Sequence, residues 1–151
     1  MSFRIKTAKM IAKIAHEGQK YGDKDYFEEH IERVVDTLKV LLPTMLVKHD
    51  NYVEVIVVGY LHDIIEDTSI TYEELVETFG WEIANYVNIL TKPCGFNHKE
   101  DNIEYLTNIV GSNVPRLVKI ADTLCNMNAC IADGDTKRTK KYQEQLQFLL
   151  G

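Results

Sequence analysis

Apolar residues recur along the chain at three- and four-residue intervals, the period of an amphipathic helix, and this predicts an all-α fold. Ile5, Ala8, Ile11, Ala12 and Ala15 mark one face of a first helix that ends near Gly18. Gln19 to Asp25 then reads as a charged loop. A second helix carries His30, Val34, Val35, Leu38 and Leu41 and is expected to stop before Pro43, which has no N–H to continue it. Asp50 or Asn51 can cap a third helix. Its run Val53, Val55, Ile56, Val57, Val58 is β-branched, and propensity alone suits a strand. The apolar stretch goes on through Tyr60 and Leu61 to Ile65 without a turn signal, which is long for a strand. It reads as a central helix, apolar nearly all round.

The second half is punctuated more clearly. Thr71-Tyr72-Glu73-Glu74 has the form of a capping box and opens a short helix ending around Gly80. Trp81 to Leu90 is the next helix, closed by Lys92-Pro93-Cys94-Gly95. That stretch and Phe96-Asn97-His98 form the most loop-like interior segment. Asp101 to Val110 is a further helix, and Asn113 with Pro115 starts the one over Leu117 to Ile131. Gly134 breaks the chain before a basic last helix, Lys137 to Leu150. With no internal repeat or linker, residues 1–151 read as a single domain.

Composition narrows the function classes. The net charge is −6, and no basic stripe offsets it, which argues against a general nucleic-acid binder. Met1 to Lys6 lacks the apolar run of a secretory leader, and no segment is long and apolar enough to span a membrane. Cys94, Cys125 and Cys130 form no CxxC pair and suit free thiols in a reducing cytoplasm. Nothing in the sequence speaks to oligomeric state.

Against this background one stretch stands out, His62-Asp63-Ile64-Ile65-Glu66-Asp67. Ionised groups in a buried helix are costly unless they are paired or bind a metal. Asp63, Glu66 and Asp67 stand at i, i+3 and i+4, and His62 lies four before Glu66, so a continuous helix would place them on neighbouring turns. His30 has apolar neighbours on the second helix, and Asp122 is a lone carboxylate in Val118-Lys119-Ile120-Ala121-Asp122-Thr123-Leu124. Two histidines and two aspartates suit a divalent Mn, Fe, Co or Zn ion with positions left for water and substrate. Glu66 and Asp67 could then orient or deprotonate that water. Taken singly, each residue has a plainer reading. His30 could be a hydrogen-bonded core residue, Asp122 could pair with Lys119 or Arg116, and the acidic cluster could face solvent. His16, His49 and His98 read as structural or solvent-exposed, and the run Lys137 to Lys141 as a solvated face, with phosphate contact the minority reading. The metal reading alone accounts for His30, His62, Asp63 and Asp122 together.

At these residues the sequence resembles the HD-domain metal-dependent phosphohydrolases, whose metal set matches His30, His62-Asp63 and Asp122. More narrowly it resembles the hydrolase domain of RelA/SpoT-type enzymes and their small stand-alone homologues. His16-Glu17-Gly18-Gln19, Tyr26 and His30 resemble the opening HxGQ…PYxxH, with Asp25 in place of the proline. Leu61 to Thr68 resembles LHDxxEDT, and Thr71 to Gly80, Val87 to Lys92 and Val118 to Met127 resemble TxEELxxxFG, VxxxTK and xKLADxLxNM. The resemblance implies an all-helical HD bundle holding a divalent cation, usually Mn²⁺, at His30, His62, Asp63 and Asp122. It implies that Glu66 and Asp67 handle the attacking water and that Asn126 touches substrate. The implied reaction is removal of the 3′-pyrophosphate from guanosine tetra- or pentaphosphate by attack of metal-activated water on phosphorus. One departure falls in the loop before His30, where the family usually carries an Arg-Lys pair and this chain has Tyr21-Gly22 between Lys20 and Lys24. Substrate is therefore expected to be read by Lys20, Tyr21, Lys24 and Asn126. Another nucleotide, such as a nucleoside mono- or triphosphate or NADPH, or a non-catalytic binding role, are the alternatives.

Overall fold

A computed structural model describes residues 2–44 and 51–151, so Asp50 and His49 lie outside the described residues. The fold is all-α apart from one small hairpin. Its elements are α1 (Phe3–Ala15), β1 (Lys20–Tyr21), β2 (Lys24–Asp25), a π-helical turn (Phe27–Ile31), α2 (Glu32–Thr44), α3 (Tyr52–Leu61), α4 (Ile64–Asp67), α5 (Tyr72–Phe79), α6 (Trp81–Leu90), α7 (His98–Val110), α8 (Asn113–Ala132) and α9 (Thr136–Leu150).

The core is built around α3. It packs against α1, α2, α6 and α8, and every residue from Val55 to Leu61 is buried. Burial on all sides explains why a β-branched run is helical here: tertiary packing outweighs a propensity cost of a few tenths of a kcal/mol per residue. Gly59 permits the close approach of α2, since a Cβ there would stand 2.7 Å from Leu38 Cδ1 and 3.3 Å from Val35 Cγ2.

The elements depart from the sequence expectation at five places. Asn51 occupies the cap position of α3, but its side chain makes no capping bond. The central helix does not run unbroken to Ile65. It ends at Leu61, and Asp63 (φ −104°, ψ 2°) starts the short α4, so no Gly or Pro marks the break. The charged loop over Gln19 to Asp25 contains an antiparallel hairpin, Lys20 opposite Asp25 and Tyr21 opposite Lys24, turning at Gly22 with φ +66°. The second helix continues through Pro43 to Thr44, where the missing N–H costs one bond in the last turn only. Finally, α7 starts at His98 because Asn97 Oδ1 accepts the Lys99 and Glu100 amides at 3.0 and 3.3 Å. The Thr71–Glu74 capping box is present with both bonds made. Among the described residues no helix is long and apolar enough to cross a membrane.

Candidate metal centre and its cationic cavity

Three stretches converge on one point. The π turn delivers His30, the break between α3 and α4 delivers His62 and Asp63, and the middle of α8 delivers Asp122. One ligand atom from each lies within 4.8 Å of the others. His30 Nε2 is 2.9 Å from Asp122 Oδ1 and 3.6 Å from Asp63 Oδ2. His62 Nε2 is 3.1 Å from Asp63 Oδ2 and 3.6 Å from Asp122 Oδ1. Both rings and Asp122 are buried, and Asp63 is largely so.

The donor chemistry fits a cation. His62 Nδ1 lies 2.7 Å from the Gly59 carbonyl, which can only accept, so Nδ1 carries a proton and Nε2 is the nitrogen turned inward, where it faces carboxylate oxygen and can ligate a cation once any proton of its own is displaced. Such backing of a histidine by a carbonyl is the usual arrangement around a metal. The charges point the same way. Among the described residues, the direct ammonium partner of the two carboxylates is Lys119, whose Nζ is 3.0 Å from Asp122 Oδ2. Burial disfavours a charged His62, yet Asp63 and Asp122 outweigh it and raise the ring's pKa. Burial would likewise raise the carboxyls, but the His62 charge holds Asp63 low and the Lys119 charge holds Asp122 low. A cluster that draws in a proton in this way offers the same place to a divalent ion.

A polar cavity of about 300 Å³ opens beside the cluster. Lys92, Lys119, His98, Arg138 and Lys141 bring positive or protonatable groups to it, while Glu66, Asp63 and Asp122 line its acidic side. Lys92 follows the end of α6 and stands 5.6 Å from the Phe96 ring centre. Burial and then the neighbouring Lys119 charge lower its pKa. Glu66 Oε1 accepts the Lys92 amide at 2.7 Å. Loss of surrounding water raises the Glu66 pKa, the Lys92 amide opposes this, and the Asp63 charge adds to it.

The sequence-predicted residues divide accordingly. His30, His62, Asp63 and Asp122 come together, and Glu66 reaches the cavity. Asp67 is tied to the segment between α1 and β1, its Oδ2 accepting from Gln19 Nε2 at 3.1 Å, and Gln19 Oε1 in turn meets His16 Nδ1 at 2.7 Å. Lys20 pairs with Asp25 at 2.6 Å and Lys24 lies 3.9 Å from Glu29. Both line a neighbouring groove of about 900 Å³, which shares Arg138 with the cavity, and not the cavity itself. Tyr21 and Asn126 meet each other, the phenol donating to Asn126 Oδ1 at 2.8 Å. His98 is exposed at the cavity rim, and His16 is buried.

Sequence reasoning kept phosphate contact by the run Lys137 to Lys141 only as its minority reading and did not single out Lys92. Arg138, Lys141, Tyr142 and Gln145 all line the cavity, and their three- and four-residue spacing was the available signal for one face of α9. A second signal lay in the opening motif. Counted back from His30, PYxxH corrects the match by one residue, putting Tyr26 rather than Asp25 in the proline's place and Phe27 in the tyrosine's, and Tyr26 donates its phenol to Asp63 Oδ2 at 2.5 Å.

Comparison with known proteins places this geometry. No protein-family model matches the chain. A guanosine-3′,5′-bis(diphosphate) 3′-pyrophosphohydrolase of Aquifex aeolicus is 32% identical over 99 residues, covering 63% of this chain and 14% of that protein. An enzyme of the same name from Danio rerio is 35% identical over 99 residues, covering 61% of this chain and 54% of that one. A solved structure of a metazoan ortholog of SpoT that hydrolyzes ppGpp superposes with a TM-score of 0.75 at 19% identity, over 99% of this chain and 84% of that one. The chain resembles the RelA/SpoT-type hydrolases in sequence and in fold. The RelA/SpoT-like chain spans from about a seventh to about half the length of these two sequence relatives.

Proposed function

We propose that this chain, as a single HD domain in a reducing cytoplasm, is a metal-dependent pyrophosphohydrolase that removes the 3′-pyrophosphate from guanosine tetra- or pentaphosphate. The carrying observation is the convergence of His30, His62, Asp63 and Asp122 next to a cavity rimmed by lysine and arginine. The names of its relatives supply the substrate class.

The four clustered residues would hold the cation, with Mn²⁺ the proposed ion for this mixed nitrogen and oxygen set. When bound, the ion supplies charge neutralisation for a phosphate oxygen and a lowered pKa for water in contact with it. The rest falls to the chain's own side chains. Lys92, Arg138 and Lys141 balance the charge of the diphosphate and hold it at the cavity. Glu66 takes the proton of the attacking water at Oε2, since Oε1 is already engaged by the Lys92 amide. Its raised pKa keeps it a better proton acceptor than an ordinary glutamate. Asp67, tied to Gln19, positions the acidic turn. The bond from the 3′ oxygen to phosphorus breaks, the 3′ oxygen leaves with GDP and takes up a proton from solvent to become its hydroxyl, and the charge arising on it is met by the same cations.

The test is a nucleotide panel with Mn²⁺ and product identification. The proposal expects guanosine 3′,5′-bis(diphosphate) to yield GDP and pyrophosphate. Cleavage of another nucleotide with this one intact would instead support the reading that Tyr21-Gly22, in place of Arg-Lys, redirects the substrate, and binding of nucleotide without turnover would favour a sensor.

A further inference from the structure

We propose that Tyr21 and Tyr26 are positioning residues that clamp the two metal-binding carboxylates from the β-hairpin side. The inference rests on reading His30, His62, Asp63 and Asp122 as a cation site, and it goes beyond the choice of substrate.

Two lines of hydrogen bonds run from these phenols to the cluster. Tyr26 donates directly to Asp63 Oδ2 at 2.5 Å. Tyr21 donates to Asn126 Oδ1 at 2.8 Å, and Asn126 Nδ2 donates to Asp122 Oδ1 at 3.2 Å. Each phenol therefore serves a different aspartate, on the oxygen that faces the histidines. A carboxylate oxygen has two lone pairs, so the bond leaves one for a cation while restraining rotation of the carboxylate. Between the two lines lies His30. The Tyr21 ring stacks on it at 5.0 Å and 21°, and the Tyr26 ring meets it at 5.1 Å. The two tyrosines touch edge to face at 5.8 Å. The backbone fixes the clamp, because the Tyr26 amide donates to the Gln19 carbonyl at 2.9 Å across the base of the hairpin.

Both tyrosines stand where the family pattern has something else, an arginine and a proline, so the clamp belongs to this chain. It adds a role to two residues expected to read substrate: Tyr21 and Asn126 bond to each other and, through Asn126, to Asp122, while Asn126 also lines the cavity.

The experiment titrates Mn²⁺ into metal-free protein, following the loss of the free-ion paramagnetic resonance signal, for the parent, Tyr21→Phe and Tyr26→Phe. The rings and their stacking survive in both variants and only the hydroxyls go. Loss of an outer hydrogen-bond partner of a ligand costs about 10–100-fold in metal affinity, so each variant is expected to bind Mn²⁺ at least tenfold more weakly. Melting temperatures should stay close to the parent's, and kcat should recover at saturating Mn²⁺. Tyr21 is half-exposed, so Tyr21→Phe carries the test alone if Tyr26→Phe does not fold. Variants that bind within twofold of the parent, or a parent that takes up no Mn²⁺, overturn the proposal. Weakened binding in a protein that leaves guanosine 3′,5′-bis(diphosphate) intact supports the clamp and removes the substrate reading. Unchanged binding in a protein that cleaves it does the reverse.

Discussion

Asp122→Asn separates two jobs that one carboxylate performs. Asp122 is 4% exposed. Its Oδ2 neutralises Lys119 at 3.0 Å, while its Oδ1 faces His30 Nε2 at 2.9 Å. The side chain of Lys119 is only 12% exposed, so a neutral amide strands an ammonium in the interior. Removing one member of a buried ion pair costs about 3–5 kcal/mol, against about 5–15 kcal/mol for a whole domain. At roughly 2–4 °C per kcal/mol for a chain of this size, the melting temperature should fall by about 6–20 °C. Mn²⁺ affinity should fall as well, because one of four ligands has lost its charge. The two effects come apart in Asp122→Asn combined with Lys119→Met. Taking out both charges is close to neutral for stability, so the double variant should melt near the parent temperature while Mn²⁺ binding and hydrolysis stay lost. Calorimetry with and without Mn²⁺ reads both quantities. A single variant that melts within a degree of the parent and binds Mn²⁺ normally would refute the reasoning.

Other consequences are equally direct. Glu66→Gln should keep Mn²⁺ affinity and lose about 10²–10⁴ in kcat, the usual contribution of a general base. The acid limb of kcat/KM, in which rate falls as pH drops through a Glu66 pKa lying above the ordinary 4.5, should vanish in that variant; a limb that persists assigns the proton to another group. Mn²⁺ should bind more tightly as pH rises, by at most about tenfold per unit for one displaced proton. The ion competes with a proton that the carboxylates hold on His62 above its usual 6.5, so the trend should continue past neutrality, and a flat isothermal profile from pH 6 to 8 would exclude it. Gly59→Ala forces a Cβ to 2.7 Å from buried Leu38 and should cost about 1–3 kcal/mol in chemical denaturation, as overpacking does.

The parts of this site that were legible in the sequence are those where a charge interrupts an apolar pattern. Asp122 stands out because Ile120, Ala121 and Thr123 around it are buried, and His62-Asp63 stands out at the end of the most apolar helix for the same reason. The capping box at Thr71 and the glycine stop at Gly80 were equally plain, since local chemistry alone decides them. The break at His62-Asp63 was not, because no glycine or proline marks it and the residues that stand there are the polar ones of the cluster. The cations of α9 were read mainly as a solvated face for a different reason. Arg138 and Lys141 sit in a run of exposed basic residues, and only the placement of α9 against α8 reveals which of them face the cavity. The residues expected to read substrate show the same limit. Tyr21 and Asn126 lie 105 positions apart, and only the fold shows that their side chains meet.

The most direct test is hydrolysis of guanosine 3′,5′-bis(diphosphate) in ¹⁸O-labelled water with Mn²⁺, with mass spectrometry of both products. Attack of water on phosphorus next to the His30–His62–Asp63–Asp122 cluster predicts one labelled oxygen in the pyrophosphate, none in the GDP, and no reaction in Asp63→Ala. Label appearing in the GDP, or undiminished turnover by Asp63→Ala, would contradict it.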